Sequence, residues 1–567
     1  MAANFDISLL SDQPSATSSL RPTRSRTSRS WLSATLAIAF VVCLPILAVF
    51  YIALNPEENI WPHLVETVLP RYIRNTLWLL LGVGITTTIL GVASAWLISM
   101  CRFPGRKLFA WALLLPFAVP AYVIAYVYTD MLEYSGWVQE ALRTSFGWHT
   151  ARDYWFPEIR SLGGAISMLS LVLYPYVYLL ARAAFLEQSE SLLMASRSLG
   201  ASPWRSFWKV SLPICRPAIA VGLSLVLLET INDFGTVDYF AVQTLTQGLF
   251  DTWLNMGNVG GAAQIASCMM IFVCALIWVE RRSRTRQKHY QATEKFKRLP
   301  HFQLRGAKAM AAVCFCLALV TAGFLIPFAV LANYAIDSYQ TSWSEDFLTY
   351  ASNSFFLSAT AAAATVAIGL VLAYARRLNQ SAVIRGIIGL SSLGYALPGA
   401  VLAVGTLIPF AAFDNGIDAL AREYLGVSTG LLLSGTVFAI LFAYVVRFLA
   451  VSAGALQASL DQVTPTMDMA ARSLGCGTSS VLYRVHIPLL RRGMLTAALI
   501  VFVDCMKELP ATLILRPFNF DTLATYVYQY ASHELIKESS LAALVIVAIG
   551  MIPVILLNRS ISSAHQS

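Results

Sequence analysis

The sequence predicts an all-α polytopic membrane protein, about twelve transmembrane helices arranged as two parallel-related six-helix halves. Of its 567 residues, 57% are hydrophobic and only 13% charged, with a mean hydropathy of +0.63. A soluble globular chain carries about a quarter charged residues. Apolar runs of about 20 residues, the length that crosses a bilayer, recur from end to end. The chain also repeats itself: Met194-Ala-Ser-Arg-Ser-Leu-Gly200 returns as Met469-Ala-Ala-Arg-Ser-Leu-Gly475. Gly475 minus Gly200, Arg472 minus Arg197 and Pro488 minus Pro213 all give 275.

Residues 1–30 are rich in Ser, Thr and Arg (Arg21, Arg24, Arg26, Arg29) and poor in apolar groups, which predicts a disordered cytoplasmic tail. The run 31–54 is long enough to span and no small-x-small cleavage site closes it, so it reads as an uncleaved first helix. Five more spans complete the first half, 31–280, near 75–100, 108–130, 163–186, 214–231 and 259–279. The second half, 309–567, has six, near 309–332, 353–375, 386–411, 428–456, 493–511 and 539–558. A basic linker, 281–308, joins them with Arg281, Arg282, Arg284, Arg286, Lys288, Lys295, Lys297 and Arg298.

Basic residues set the orientation. Arg102, Arg106 and Lys107, and then Arg376, Arg377 and Arg385, mark inner ends of the second and third spans of each half, whereas Glu57, Glu58, Asp251, Glu345 and Asp346 fall in outer loops. The net charge of +9 is thus a topology signal and not a nucleic-acid footprint. Because each half has an even number of spans, the copies insert in the same orientation, related by a pseudo-twofold axis along the membrane normal. The duplication reaches beyond the loops: Asn75 pairs with Asn353, Gly91 with Gly369, Ala95 with Ala373 and Pro120 with Pro398, each at 278.

The repeated loops, about 190–213 and 465–488, are polar and basic between apolar runs. Each reads as a small helix, a glycine break, a second small helix and a proline that starts the next span. At these residues the chain resembles the permease subunits of bacterial ABC importers, whose signature is Glu-Ala-Ala, three residues, Gly and, about nine residues on, an aliphatic stretch closed by Pro. The resemblance implies an ABC importer type I permease fold. It makes each loop a coupling helix that docks on a cytoplasmic ATPase, through Ala195, Ser196, Arg197, Gly200 and Pro213 in one copy and Ala470, Ala471, Arg472, Gly475 and Pro488 in the other. Met194 and Met469 stand where the family has glutamate, so no salt bridge to the ATPase is expected there.

Among such fused permeases the likeness is nearest to ferric-iron importers, through Asp233-Phe-Gly-Thr-Val-Asp-Tyr-Phe240 and Lys507-Glu-Leu-Pro-Ala-Thr-Leu-Ile-Leu-Arg-Pro-Phe518. It implies a multi-pass inner-membrane protein with both termini cytoplasmic, two copies of an ABC ATPase, and a periplasmic substrate-binding protein. No Gly-x-x-x-x-Gly-Lys-Ser/Thr stretch occurs, so ATP and Mg belong to the partner and this chain catalyses nothing. The alternatives are a fused permease for thiamine or an anion such as sulfate and, from another class, an ion-coupled secondary transporter.

Acids align across the repeat after each loop: Glu229 with Asp504, and Asp233 with Glu508, each at 275. Four residues apart, each pair is expected on one helical face. Carboxylates at membrane depth tend to face a pathway, and hard oxygen ligands suit a trivalent cation; pairing with Lys507 is the competing structural role. Tyr122, Tyr126 and Tyr128 read as vestibule lining or interfacial anchors. The nine cysteines form no Cys-x-x-Cys pair, the seven histidines are scattered, and no stable metal site or bound cofactor is expected.

Overall fold

The computed structural model describes residues 26–186, 188, 194–196, 198–200, 202–285, 302–379 and 381–564. Residues 1–25 of the tail, Arg197, and residues 286–301 of the linker lie outside them. The first half comprises α1 (Arg26–Leu54), α2 (Leu69–Met100), α3 (Arg106–Ala112), α4 (Ala121–Leu132), α5 (Leu162–Leu186), α6 (Leu212–Asn232) and α7 (Val259–Thr285). The second comprises α8 (Ala307–Asp337), α9 (Glu345–Leu378), α10 (Ala382–Ser391), α11 (Gly399–Leu425), α12 (Val437–Asp461), α13 (Ile487–Met506) and α14 (Ile536–Ala564). The two halves carry the same series of seven.

Among the described residues, ten helices are long and apolar enough to cross a bilayer, or eleven when the bent pair around Pro120 is one span. The sequence-based count of twelve is met by position in α13, whose 20 residues include Arg491, Arg492 and Asp504 and so fall short on apolarity. The third spans are not the single rods expected at 108–130 and 386–411. Arg106–Ala118 and Ala121–Phe146 meet at 90°, and Val119–Pro120 and Leu397–Pro398 are extended. Proline has no N–H for the helical ladder and pushes the preceding residue out of the α region, so each span ends there and restarts. The expected 428–456 span lies later, at Val437–Asp461, and helix α1 takes up the last five residues of the expected tail.

Small residues bring the helices close. A Cβ at Gly91 of α2 would stand 2.7 Å from the Val177 Cβ of α5, and one at Gly369 of α9 only 2.6 Å from the Ser452 Oγ of α12. With no hydrophobic drive between helices in lipid, such backbone approach supplies the packing. The halves also exchange their first helices. α1 packs on α7 of its own half but also on α10 and α11, while α8 packs on α14 and also on α3, α4 and α5. One core cluster therefore joins Val42, Val49 and Ile52 to Leu397, Val401 and Leu449, and another joins Cys316, Phe324 and Leu331 to Ile124 and Tyr174.

The end of the linker is tied down in a way nothing in the sequence signalled. Cys101–Arg102 (β1) pairs in parallel with Phe302–Gln303 (β2), Cys101 opposite Phe302, and the Leu304 N–H donates to the Arg102 carbonyl at 3.0 Å.

The exchange of first helices depends on Gly405, where a Cβ would overlap the Pro45 backbone of α1. Gly405→Ala should cost about 1–3 kcal/mol by overpacking. Gly416→Ala, in the same helix with open space around it, should stabilise by about 0.5–1 kcal/mol through helix propensity alone. Thermal unfolding of the detergent-solubilised protein compares the two.

Candidate functional site

Both α6 and α13 end at a cavity of about 120 Å³ between the halves, and all four repeat-aligned acids line it. The helices stop at Asn232 and Met506, so the acids do not share one helical face as the spacing suggested. Asp233 lies just past the end of α6 in extended backbone and accepts from the Thr236 N–H (3.1 Å), the Thr236 hydroxyl (2.9 Å) and the Val237 N–H (3.2 Å), capping the short helix Gly235–Tyr239. Glu508, its repeat mate, accepts from the Ala511 and Thr512 N–H groups and caps Pro510–Leu515. An unfinished helix start offers donors that a carboxylate satisfies.

The other two acids differ from each other. Asp504 pairs with Lys507 at 3.1 Å, the structural role weighed from sequence, and the Lys507 ammonium also sits 4.5 Å from the Phe117 ring. Glu229 receives a long hydrogen bond, 3.4 Å, from the Tyr395 hydroxyl of the opposite half.

Sequence reasoning missed Arg447, buried in the middle of α12. Its Nη1 donates to Glu508 at 2.9 Å and to the Asn232 side-chain oxygen at 3.1 Å, and that oxygen also accepts from the Gly399 N–H at 2.7 Å. A lone arginine inside an apolar run was the available signal, since an intramembrane charge implies a partner and a role. Tyr122 and Tyr126 are buried near the junction of the halves, with hydroxyls that have no hydrogen-bond partner among the described residues, whereas Tyr128 donates to the Ala322 carbonyl of α8. Among the described residues no three His, Cys, Asp or Glu come together as a metal centre.

Away from this cavity, the described residues of the two repeated loops match in conformation and exposure at their tips. Gly200 and Gly475 take φ of +76° and +81°, the left-handed turn expected of them, and each faces open space. Leu199 and Leu474 project beside them, 86% and 83% exposed, with Met194 and Met469, and Trp208 and Tyr483, exposed at matching positions. The small pairs are less available than the sequence suggested: Ala195 and Ala470 are exposed, but Ser196 and Ala471 pack into their own half. Pro213 and Pro488 do not open new helices cleanly. Each follows a π-turn, Phe207–Ser211 or Leu482–His486, that runs on into α6 or α13, because a proline without an N–H is accommodated by widening the register before it.

The second loop has extra anchoring. Arg377 of α9 bonds Asp468 at 2.8 Å and the Leu460 carbonyl at 2.6 Å. The buried His486 ring puts Nε2 3.0 Å from Asp468 Oδ1. In the first copy Leu193 and Ser211 occupy the places of Asp468 and His486.

Residues 87–288 match the family model described as the binding-protein-dependent transport system inner membrane component. The Fe(3+)-transport system permease protein FbpB 2 of Haemophilus influenzae is 27% identical over 531 residues, 92% of this chain and 96% of that protein. A ferric transport system permease protein of Actinobacillus pleuropneumoniae is 25% identical over 534 residues, 88% of this chain and 72% of its own length. A probable sulfate transport system permease of Chlorokybus atmophyticus reaches 31% identity over 220 residues, 38% of this chain and 72% of its own. The chain belongs to this permease family.

For this permease the family settles the class: a multi-pass inner-membrane component of a binding-protein-dependent transport system, moving a substrate and not transforming it. The expected ion-gradient alternative falls with that finding. What the geometry adds is a mixed-charge cavity on the boundary of the halves and a matched pair of apolar-tipped loops away from it.

Two outcomes follow for the permease. Arg447→Met should cost about 3–5 kcal/mol because Glu508 is left buried without its partner charge, while Arg447→Met combined with Glu508→Gln should recover most of that loss, as read by thermal unfolding in a double-mutant cycle. On the loop side of α13, burial pushes the His486 imidazole below its ordinary 6.5, outweighing the pull of Asp468. Above 6.5 it is neutral whether folded or not. As pH falls below 6.5 the unfolded chain takes up a proton that the folded loop resists, so stability should drop on acidification, and His486→Gln should flatten that part of the pH profile.

Proposed function

We propose that this permease imports ferric iron delivered by a periplasmic binding protein, driven by two copies of a cytoplasmic ATPase that dock on the loops around Gly200 and Gly475. The observation that carries the cargo is the likeness to ferric permeases over most of the chain. The cavity agrees with a cation in its formal charge. Four acids (Glu229, Asp233, Asp504, Glu508) against two bases (Arg447, Lys507) leave a net charge of −2, which opposes a sulfate-like anion.

Basic inner ends put both termini and both loops in the cytoplasm. ATP binding on the partner draws the two loops together and opens the halves toward the loaded binding protein; hydrolysis releases them and the passage opens inward. Asp233 and Glu508 serve this path as fixed caps at the cavity wall, and Glu229 and Asp504 face the cargo. Nothing is bound covalently and no cofactor is held by this chain.

The exposed leucines test the docking role without touching the core. Leu199→Asp with Leu474→Asp should leave thermal stability within about 0.5 kcal/mol, as for other surface changes, yet abolish ATPase co-purification and iron uptake; intact co-purification would refute docking at these loops. ATP hydrolysis in proteoliposomes should rise with ferric-loaded binding protein and not with sulfate-loaded protein, and the opposite order would reassign the cargo.

A further inference from the structure

We propose that the cavity between the halves is a transient site for a hard trivalent cation, with the Glu229 carboxylate as its charged ligand and the phenol oxygens of Tyr395, Tyr176 and Tyr122 around it. The inference rests on the iron-import reading and names the residue that receives the cargo.

Three of the four carboxylates in the cavity are already occupied. Asp233 is held by three donors of its own turn, Glu508 by Arg447 and by the start of Pro510–Leu515, and Asp504 by Lys507. Among the described residues Glu229 has neither a cap nor a base at ion-pairing distance; its hydrogen bond is the long one from Tyr395. The repeat explains the asymmetry: Lys507, which neutralises Asp504, is replaced at the matching first-half position by Asn232, and Asn232 turns instead to Arg447 and Gly399. A carboxylate at membrane depth without a direct salt bridge, facing Arg447 and Lys507 only across the cavity, marks a site of function.

A second observation points the same way. Tyr122 lines the same cavity, is 5% exposed, and its hydroxyl has no hydrogen-bond partner among the described residues. A buried hydroxyl at a cavity wall is a donor and acceptor available to whatever enters the cavity. Tyr395, whose hydroxyl donates to Glu229, and Tyr176 line the same cavity, and carboxylate and phenol oxygens are hard donors that suit a small, highly charged cation. A single carboxylate with neutral oxygens around it also binds weakly enough to release, which passage requires.

Terbium, an oxygen-seeking trivalent ion whose luminescence is sensitised by nearby tyrosine, is the probe. Titrated into the purified full-length permease in detergent, it should give a saturable sensitised signal that Glu229→Gln weakens about 10- to 100-fold in affinity, while Asp153→Asn, an exposed loop carboxylate, leaves it unchanged. Equal affinity in wild type and Glu229→Gln would overturn the site. Glu229→Asp separates ligation from packing: binding kept by Asp and lost by Gln assigns the carboxylate, and binding lost by both overturns the assignment. Ferric uptake by the wild type is read separately. A permease that binds terbium through Glu229 but imports no iron leaves the site standing and overturns the cargo, and import without Glu229-dependent binding does the reverse.

Discussion

Everything at the boundary of the two halves depends on how one buried charge is satisfied. Arg447 sits inside an apolar helix, and an arginine there is tolerated only with partners in reach. It finds Glu508 from the turn after α13 and Asn232 from the end of α6. Glu508 in turn fixes the start of Pro510–Leu515, and Asn232 fixes the Gly399 N–H at the start of α11. Four chain segments from both halves thus converge on one guanidinium. A small cavity lies beside this junction, and among the described residues Glu229 there has no salt bridge.

The repeat supplies the architecture, and its departures supply the chemistry. Where the halves agree, they build the same devices: glycines that let α2 meet α5 and α9 meet α12, prolines that break the third spans, and left-handed glycines at the loop tips. Where they differ, a charge stands on one side only. Lys507 faces Asn232, His486 faces Ser211 and Asp468 faces Leu193 across the register of 275. At the cavity the second-half acids Asp504 and Glu508 each carry a salt bridge, whereas Glu229 of the first half has the Tyr395 hydroxyl.

Exchange of first helices gives the two halves a shared core although they are separate in sequence. With α1 lying on α10 and α11, and α8 on α3, α4 and α5, neither half buries its apolar face alone. The polar junction is held by a few exchangeable hydrogen bonds, whereas the close-packed seams are rigid because interiors are dense.

By itself the sequence determined the class, the number of repeats, the positions of the loops, the left-handed turns at Gly200 and Gly475 and the alignment of four acids, because each depends on composition, on local backbone preference or on a fixed spacing. It also placed Pro120 and Pro398 in register without revealing that each would split a span, since apolar runs look continuous whatever the backbone does. The tertiary structure alone decided what each acid is for. Asp233 and Glu508 read as equals of Glu229 and Asp504 until the helices were seen to stop at Asn232 and Met506, which turned two of them into caps. Arg447, Tyr395 and Asn232 joined the site from positions more than 160 residues apart from their partners in some cases, and the β1–β2 pairing of Cys101 with Phe302 had no local signature at all. Partnership between distant charges is set by how helices pack, and that information is not carried by any one stretch of chain.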